Sequence, residues 1–177
     1  MTYDEILKRI KELGQVDTFG TKKEIKELPN ILFPDETIEY LMSGFLNGNT
    51  WLITCTNKRV LFLDKGLLFG CKQLETPLEK INSIQSNKGL ILGSITIWDG
   101  AGPMKIDKVQ KYSLQPFVTA VNNAKEALKK SSTTHVVHHE EKKEDFIAQL
   151  EKLAELRERG IVTQEEFEAK KKQILNL

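Results

Sequence analysis

The feature that most constrains this chain is a series of short segments with β-strand composition between residues 36 and 109. These segments are rich in Ile, Leu, Val, Thr, Phe and Trp, which favour strands. Turn-forming sequences, among them Asn47-Gly48-Asn49 and Lys88-Gly89, separate them. Seven strands packed so closely along the chain predict an antiparallel sandwich or barrel. The predicted strands span 36–46, 50–56, 59–64, 67–74, 80–86, 91–98 and 104–109.

Alternation along the second predicted strand indicates how it is buried. Trp51, Ile53 and Cys55 occupy every other position between residues 50 and 56. Side chains at alternate positions of a strand share one face of the sheet. The pattern therefore predicts a strand with one face turned toward the core.

Helical periodicity precedes the strands. Apolar residues from Ile6 to Leu13 follow helical spacing and predict a helix over 3–13, ended by Gly14. A second short helix is predicted over 21–28, with Pro29 as its stop. Helices this short are marginal in isolation, so we expect their apolar stripes to pack on the strands that follow.

A third helix is predicted after the last strand. Pro116 is placed for a first helical turn, and apolar residues then recur at helical spacing from Phe117 to Leu128. We expect this helix to end near Lys130 and to plug one open end of the barrel. Residues 131–142 show no sustained periodicity and predict a linker.

The last part of the chain predicts two helices joined by a tight turn. Gly160 is placed to adopt the left-handed conformation that ends a helix, with Ile161 contacting Leu156 as in a Schellman motif. Thr163 and Glu166 have the spacing of a capping box at the start of the next helix.

Charge argues against a nucleic-acid-binding protein. The formal net charge is +1 at pH 7, distributed as 0 over residues 1–30, +3 over 31–130 and −2 over 131–177. Proteins that bind through phosphates usually carry a basic excess on one domain. No apolar run approaches the roughly 18 residues of a membrane span, and the acidic N-terminus does not resemble a signal peptide.

No catalytic or metal-binding constellation is evident. Cys55 lies in a predicted strand without a histidine partner, and the two cysteines lack CxxC spacing. His135, His138 and His139 cluster in the predicted linker, where nothing preorganises them around a metal. We therefore expect a non-enzymatic protein without a metal or cofactor, located in the reducing cytoplasm, with a peripheral membrane location as the alternative.

Two family resemblances add to this interpretation. Segments 52–66, 78–84 and 89–97 resemble the bacterial pleckstrin-homology-like families, particularly the YokE-like type. Residues 146–175 are similar to a SHOCT (short C-terminal) domain, chiefly through the sequence GIVTQEEF that begins at Gly160. The first resemblance implies a seven-stranded, partly open barrel capped by a C-terminal helix. Neither resemblance implies a catalytic residue or a cofactor.

Together these observations predict an α+β protein with four parts. They are an N-terminal helical extension over 1–30, a pleckstrin-like antiparallel barrel over 31–130, a linker over 131–142 and a SHOCT-like helical hairpin over 143–177.

The pleckstrin-like fold raises the possibility of phosphoinositide binding. Such head-group sites need converging Lys or Arg, typically from the loop between the first two strands. Here that loop is the uncharged Asn47-Gly48-Asn49. A more diffuse basic face would use Lys58, Arg59, Lys105, Lys108 and Lys111. We accordingly expect liposome binding to be weak or absent.

The C-terminal hairpin gives the leading functional hypothesis. Two short helices bury too little surface to be stable unaided, so their apolar stripe should meet another surface. We expect self-association or binding of a protein partner, as in an interaction or scaffold protein. Docking on the chain's own barrel, a membrane or anionic-ligand module, and a nucleic-acid-binding tail using 170–172 are the alternatives. The predicted interaction residues are Phe146, Leu150, Leu153, Leu156, Gly160, Ile161, Thr163, Phe167 and Ile174.

Overall fold

The computed structural model describes residues 1–66, 70–159 and 163–175, with the backbone alone for 132–152 and for some positions of 156–175. The chain divides into two compact units, Met1–Lys129 and Lys130–Leu177, which are considered separately below.

The first unit has two helices, seven strands and the beginning of a third helix, which confirms the predicted α+β fold class. The second unit contains the remainder of that helix and a fourth helix. The elements are α1 (Tyr3–Glu12), α2 (Lys22–Ile31), β1 (Ile38–Leu46), β2 (Asn49–Thr56), β3 (Arg59–Lys65), β4 (Cys71–Pro77), a 3-10 turn (Leu78–Lys80), β5 (Ser83–Lys88), β6 (Gly93–Asp99), β7 (Gly102–Val109), α3 (Lys111–Glu158) and α4 (Gln164–Leu175).

All seven strands join in one antiparallel sheet with the order β4-β3-β2-β1-β7-β6-β5. Two meanders, β1–β4 and β5–β7, meet where Phe45 of β1 pairs with Asp107 of β7. Asn47 and Gly48 have φ values of 50° and 88°, so the turn they form matches the twist of the β1–β2 hairpin. Turn chemistry therefore located this hairpin correctly.

Two hydrophobic cores lie in the first unit. The larger core brings Trp51, Ile53 and Cys55 of β2 together with α3. The second core joins Leu52 of the opposite face to residues of α1, α2, β1 and β3. The expectation that only one face of β2 is buried was therefore wrong, because the N-terminal helices cover its other face. Their docking on the strands is confirmed.

Helix α2 extends past the proline that was predicted to stop it. Pro29 lies inside α2, which ends at Ile31. A proline has no N–H and therefore removes one backbone hydrogen bond from a helix. The residues after it can still donate hydrogen bonds to carbonyls four positions earlier. The amide of Leu32 donates to the carbonyl of Leu28 at 2.9 Å.

Helix α3 confirms the predicted plug but begins earlier than expected. Leu114, Phe117 and Val121 are fully buried in the larger core. The sequence had placed Pro116 in the first turn, which was wrong: α3 starts at Lys111, so Pro116 lies beyond that turn.

The sequence predicted a linker over 131–142, whereas the structure has helix there. α3 continues without interruption to Glu158. No Gly or Pro occurs between Phe117 and Arg159, so local sequence contains no strong helix breaker. The boundary between the two compact units nonetheless falls between Lys129 and Lys130.

A glycine in β1 gives a direct test of the core packing. A Cβ added at Gly44 would lie 2.8 Å from Cδ1 of Ile53 and closer still to Cγ2 of Ile106. Both isoleucines are fully buried, so the Gly44→Ala variant should lose about 1–3 kcal/mol of unfolding free energy through overpacking. Urea denaturation would measure the loss.

Gly100→Ala is the matched control, since a Cβ there meets no atom within 4 Å. Equal stability losses for the two variants would contradict the packing described here.

Candidate interaction surfaces

The first candidate site is the group of charged residues around Arg59, at the start of β3. The guanidinium Nε donates to Oε1 of Glu36 at 2.9 Å, and Nη2 donates to Oε2 at 2.9 Å. Nη1 also donates to Glu75. The side chains of Arg59 and Glu36 are 5% and 0% exposed. This arginine is therefore part of a buried ion pair, and the surface that the sequence had suggested does not include it.

Hydrogen bonds determine how Glu36 titrates. Burial by itself would raise the pKa of Glu36, but hydrogen bonds from Arg59, the Phe33 amide and Thr56 bring it below its usual value. Those from Thr56 and the Phe33 amide measure 2.7 and 2.9 Å. Glu36 is thus an ionised carboxylate inside the fold at neutral pH.

The lysines predicted to form a diffuse basic face have separate local partners. Lys58 pairs with Asp35 at 2.6 Å. Lys105 pairs with Asp107 at 3.0 Å. The other two make different contacts: Lys108 places its ammonium 3.8 Å from the centre of the Phe45 ring, and Lys111 donates to the carbonyl of Leu90. Their charges are therefore spread over several contacts and do not converge on one point.

The β1–β2 turn has acidic residues near it. Asn49 donates to Oδ2 of Asp64 at 3.0 Å. An open cavity of about 240 Å³ beside the turn is lined by Asn47, Asp99 and Lys105, among others. A larger open cavity, of about 680 Å³ at the start of α2, also mixes lysines with acids. Neither cavity has the excess of positive charge that a phosphorylated head group requires.

The cysteine in the core is chemically inert. Cys55 is fully buried, and burial strongly raises the pKa of its thiol. The neutral thiol is a poor nucleophile. Among the residues that the structure describes, no group of His, Cys, Asp or Glu is arranged to hold a metal ion. His135, His138 and His139 belong to α3, but their side chains fall outside the described set.

In the second unit, an aromatic–cation contact joins α3 to α4. The guanidinium carbon of Arg157 lies 4.7 Å from the centre of the Phe167 ring. Phe167 is 9% exposed, and Leu153 is half-buried. The Phe167 amide donates to the carbonyl of Thr163 at 2.9 Å, so Thr163 directly precedes α4, as the capping pattern predicts. The sequence analysis missed Arg157, although it lies ten residues before Phe167 in the same predicted hairpin.

The other predicted interaction residues are less fully described. Phe146, Leu150 and Leu156 belong to α3, and Ile174 belongs to α4, with side chains outside the described set. The predicted turn at Gly160 and Ile161, with its Schellman contact, lies outside the described residues, as does the side chain of Glu166 in the predicted capping box.

One surface was not anticipated from the sequence. Residues 89–92, called here the β5–β6 tip, connect β5 to β6. Leu90 is 92% exposed and Ile91 is 81% exposed. The sequence analysis assigned Ile91 to a strand, although Gly89 and Gly93 on either side indicated a turn.

None of the described helices has both the length and the apolar character that crossing a bilayer requires.

Comparison with known families follows the two-unit organisation. A family model described as "Bacterial PH domain" matches residues 32–123, from the end of α2 into α3. A second, described as "Short C-terminal domain" (SHOCT), matches residues 148–175.

Individual relatives are more distant. A protein of Archaeoglobus fulgidus described as uncharacterized is 25% identical over 181 residues, covering 85% of this chain and 94% of its own length. A crystal structure of a pleckstrin homology domain from Shewanella amazonensis SB2B is 19% identical and covers 55% of this chain and 93% of that chain, with a TM-score of 0.41. A DUF1696 family protein with a pleckstrin-homology domain from Shewanella loihica PV-4 is 17% identical, covers 55% and 91%, and has a TM-score of 0.40.

The buried ion pair predicts how stability depends on pH. Glu36→Gln should lower the unfolding free energy by about 3 kcal/mol at pH 7, because it removes the buried carboxylate that pairs with Arg59 and leaves only the more exposed Glu75 as a counterion. The pKa of Glu36 is lower in the folded protein than in the unfolded chain. The stability it contributes is therefore complete above the unfolded pKa and is lost as the pH falls toward the folded one.

The difference in unfolding free energy between the wild type and the Glu36→Gln variant should accordingly become smaller below about pH 4. Denaturant titrations at several pH values would measure it, with the exposed Glu79→Gln as control. A difference that stays constant down to acidic pH would show that Glu36 is not the titrating partner.

Proposed function

The chain belongs to the bacterial PH domain family, and we propose that it is a non-enzymatic interaction protein whose C-terminal SHOCT hairpin mediates self-association or binds a protein partner. The PH unit supplies a stable folded body in this proposal, and the hairpin supplies the contact. The inert Cys55 thiol and the paired charges around Arg59 support a body without catalytic chemistry.

Support for the proposal comes from the small size of the second unit, which begins at Lys130 and consists of the last part of α3 and of α4. Among its described side chains, Phe167 is 9% exposed and lies against Arg157. A single aromatic ring over an arginine contributes about 0.5–2 kcal/mol, far less than a folded unit needs. Two short helices bury too little surface to be stable unaided, so we expect the apolar side chains of the hairpin to meet a further surface.

Folding of the first unit does not depend on that surface. Both hydrophobic cores lie within residues 1–129, and α1, α2 and the first turns of α3 all contribute to them. Changes in the hairpin should thus alter association without unfolding the PH domain.

Among the alternatives, a nucleic-acid-binding tail has the weakest support. Residues 170–172 are three consecutive lysines, but residues 131–177 carry a net charge of −2. A polyanion would be repelled by that excess of acid.

Leu153 and Phe167 allow a test of the proposed hairpin contact. Replacing both with Asp should dissociate an oligomer or abolish partner binding, because the substitutions remove large apolar side chains and bury charge at the contact. Size-exclusion chromatography with light scattering would report a smaller species, while circular dichroism would show an unchanged strand signal.

The exposed residues Glu155 and Glu168 provide the matched control, as a Glu155→Ala/Glu168→Ala double variant. We expect this control to associate like the wild type. A wild-type chain that is monomeric at all concentrations, and from which a pull-down recovers no hairpin-dependent partner, would refute the proposal.

A further inference from the structure

The β5–β6 tip exposes two adjacent aliphatic side chains on the PH unit. Leu90 and Ile91 are 92% and 81% exposed, while the neighbouring Leu92 is half-buried. Single exposed apolar residues are common on protein surfaces. Two consecutive residues, almost fully exposed at the end of a hairpin, are the kind of feature that marks an interaction site.

The backbone of the tip is held in place, so the exposure is part of the fold. A Cβ at Gly89 would lie 2.5 Å from the carbonyl oxygen of Leu92, so the turn closes tightly on itself there. At Gly93 a Cβ would lie 2.5 Å from Cδ1 of Leu114 in α3. The ammonium of Lys111 donates to the Leu90 carbonyl. Close packing at Gly89 and Gly93, together with the Lys111 hydrogen bond, thus fixes a turn in which Leu90 and Ile91 are exposed.

The surroundings of the tip are basic. Lys88, the last residue of β5, directly precedes the tip, and Lys111 donates to the Leu90 carbonyl; both lysines are exposed. The sequence contains no Asp or Glu between Glu79 and Asp99, or between Asp107 and Glu126. Burial and the negative charge of Asp17 raise the pKa of Tyr112, at the start of α3, so one acidic residue does act on this region.

That carboxylate is occupied within the fold, however. Asp17 is 7% exposed, and its two oxygens accept hydrogen bonds from the Ser43 hydroxyl at 2.6 Å and the Phe19 amide at 3.0 Å. The exposed charges of the tip region are therefore positive.

Two exposed aliphatic side chains next to exposed lysines fit an anionic bilayer better than a protein surface. Protein contacts are dominated by Trp, Tyr and Arg, whereas Leu is under-represented and Lys is depleted. The tip offers two aliphatic side chains and lysines instead. Aliphatic groups partition into the acyl region, while lysine stems let their ammonium groups reach lipid phosphates.

We propose that the β5–β6 tip is a membrane contact that inserts Leu90 and Ile91 into the interface of an anionic bilayer, with Lys88 and Lys111 at its phosphates. Two side chains and two charges make a weak, reversible contact. This contact depends on the overall negative charge of the bilayer and does not select a phosphoinositide head group.

Co-sedimentation of the full-length protein with vesicles tests this proposal. Vesicles of equimolar phosphatidylcholine and phosphatidylglycerol should bind the wild type, and vesicles of phosphatidylcholine alone should bind it much less. Leu90→Ser/Ile91→Ser should weaken binding about tenfold, and Lys88→Gln about fivefold. Phe19→Ser, at an aromatic residue 84% exposed elsewhere on the unit, and the exposed Lys26→Gln should both bind like wild type.

Insertion can be observed directly with a fluorescent side chain. Relative to the wild type, whose Trp51 and Trp98 also emit, tryptophan emission of an Ile91→Trp variant should shift to the blue on adding anionic vesicles, and that of a Phe19→Trp variant should not. Two results would overturn the proposal: equal vesicle binding by the wild type and the Leu90→Ser/Ile91→Ser variant, or no binding of the wild type to anionic vesicles. A tip variant that instead loses a bound protein while vesicle binding is unchanged would assign the tip to a protein partner and also refute it.

This inference is independent of the proposed role of the hairpin. Leu153→Asp/Phe167→Asp changes the association state and leaves the tip unaltered, so the blue shift of Ile91→Trp should persist in that background. Loss of vesicle insertion and loss of self-association are thus separate outcomes.

Discussion

The ion pair between Arg59 and Glu36 connects the N-terminal helices to the sheet. Its two side chains are almost fully buried, and the cost of leaving either charge unpaired inside the protein is large. Arg59 also donates to the carbonyl of Ile31, the last residue of α2, at 3.0 Å. A single side chain therefore fixes the end of α2, the segment leading into β1 and the start of β3. With α2 held there, the outer face of the central strands is covered.

Covering that face determines which surfaces remain for function. Strands β1 to β3 are buried on both sides, between the core closed by α3 and the core closed by α1 and α2. The lysines that suggested an anion-binding face are distributed among local partners. We propose that the hairpin of the second unit and the β5–β6 tip of the first unit are the surfaces through which this protein binds.

Local signals in the sequence predicted most of the fold. Turn residues such as Asn47 and Gly48 act within a few positions of themselves, so the strands they separate could be recognised without the structure. Burial of Leu52 on the second face of β2 depends on helices far away in the sequence, and the partner of Arg59 lies 23 positions before it. Exposure of Ile91 likewise depends on how the turn packs against α3. None of these has a periodic signature that a sequence pattern would reveal.

We propose that the C-terminal hairpin needs another surface to be stable. Hydrogen–deuterium exchange of the full-length protein, followed from dilute to concentrated solution, tests it most directly. We expect amides of α4 to exchange much faster than those of β1 to β3 in dilute solution. We also expect them to become protected as the concentration rises or a protein partner is added. If the α4 amides of the dilute monomer exchange as slowly as those of the central strands, the hairpin is already covered and needs no further surface.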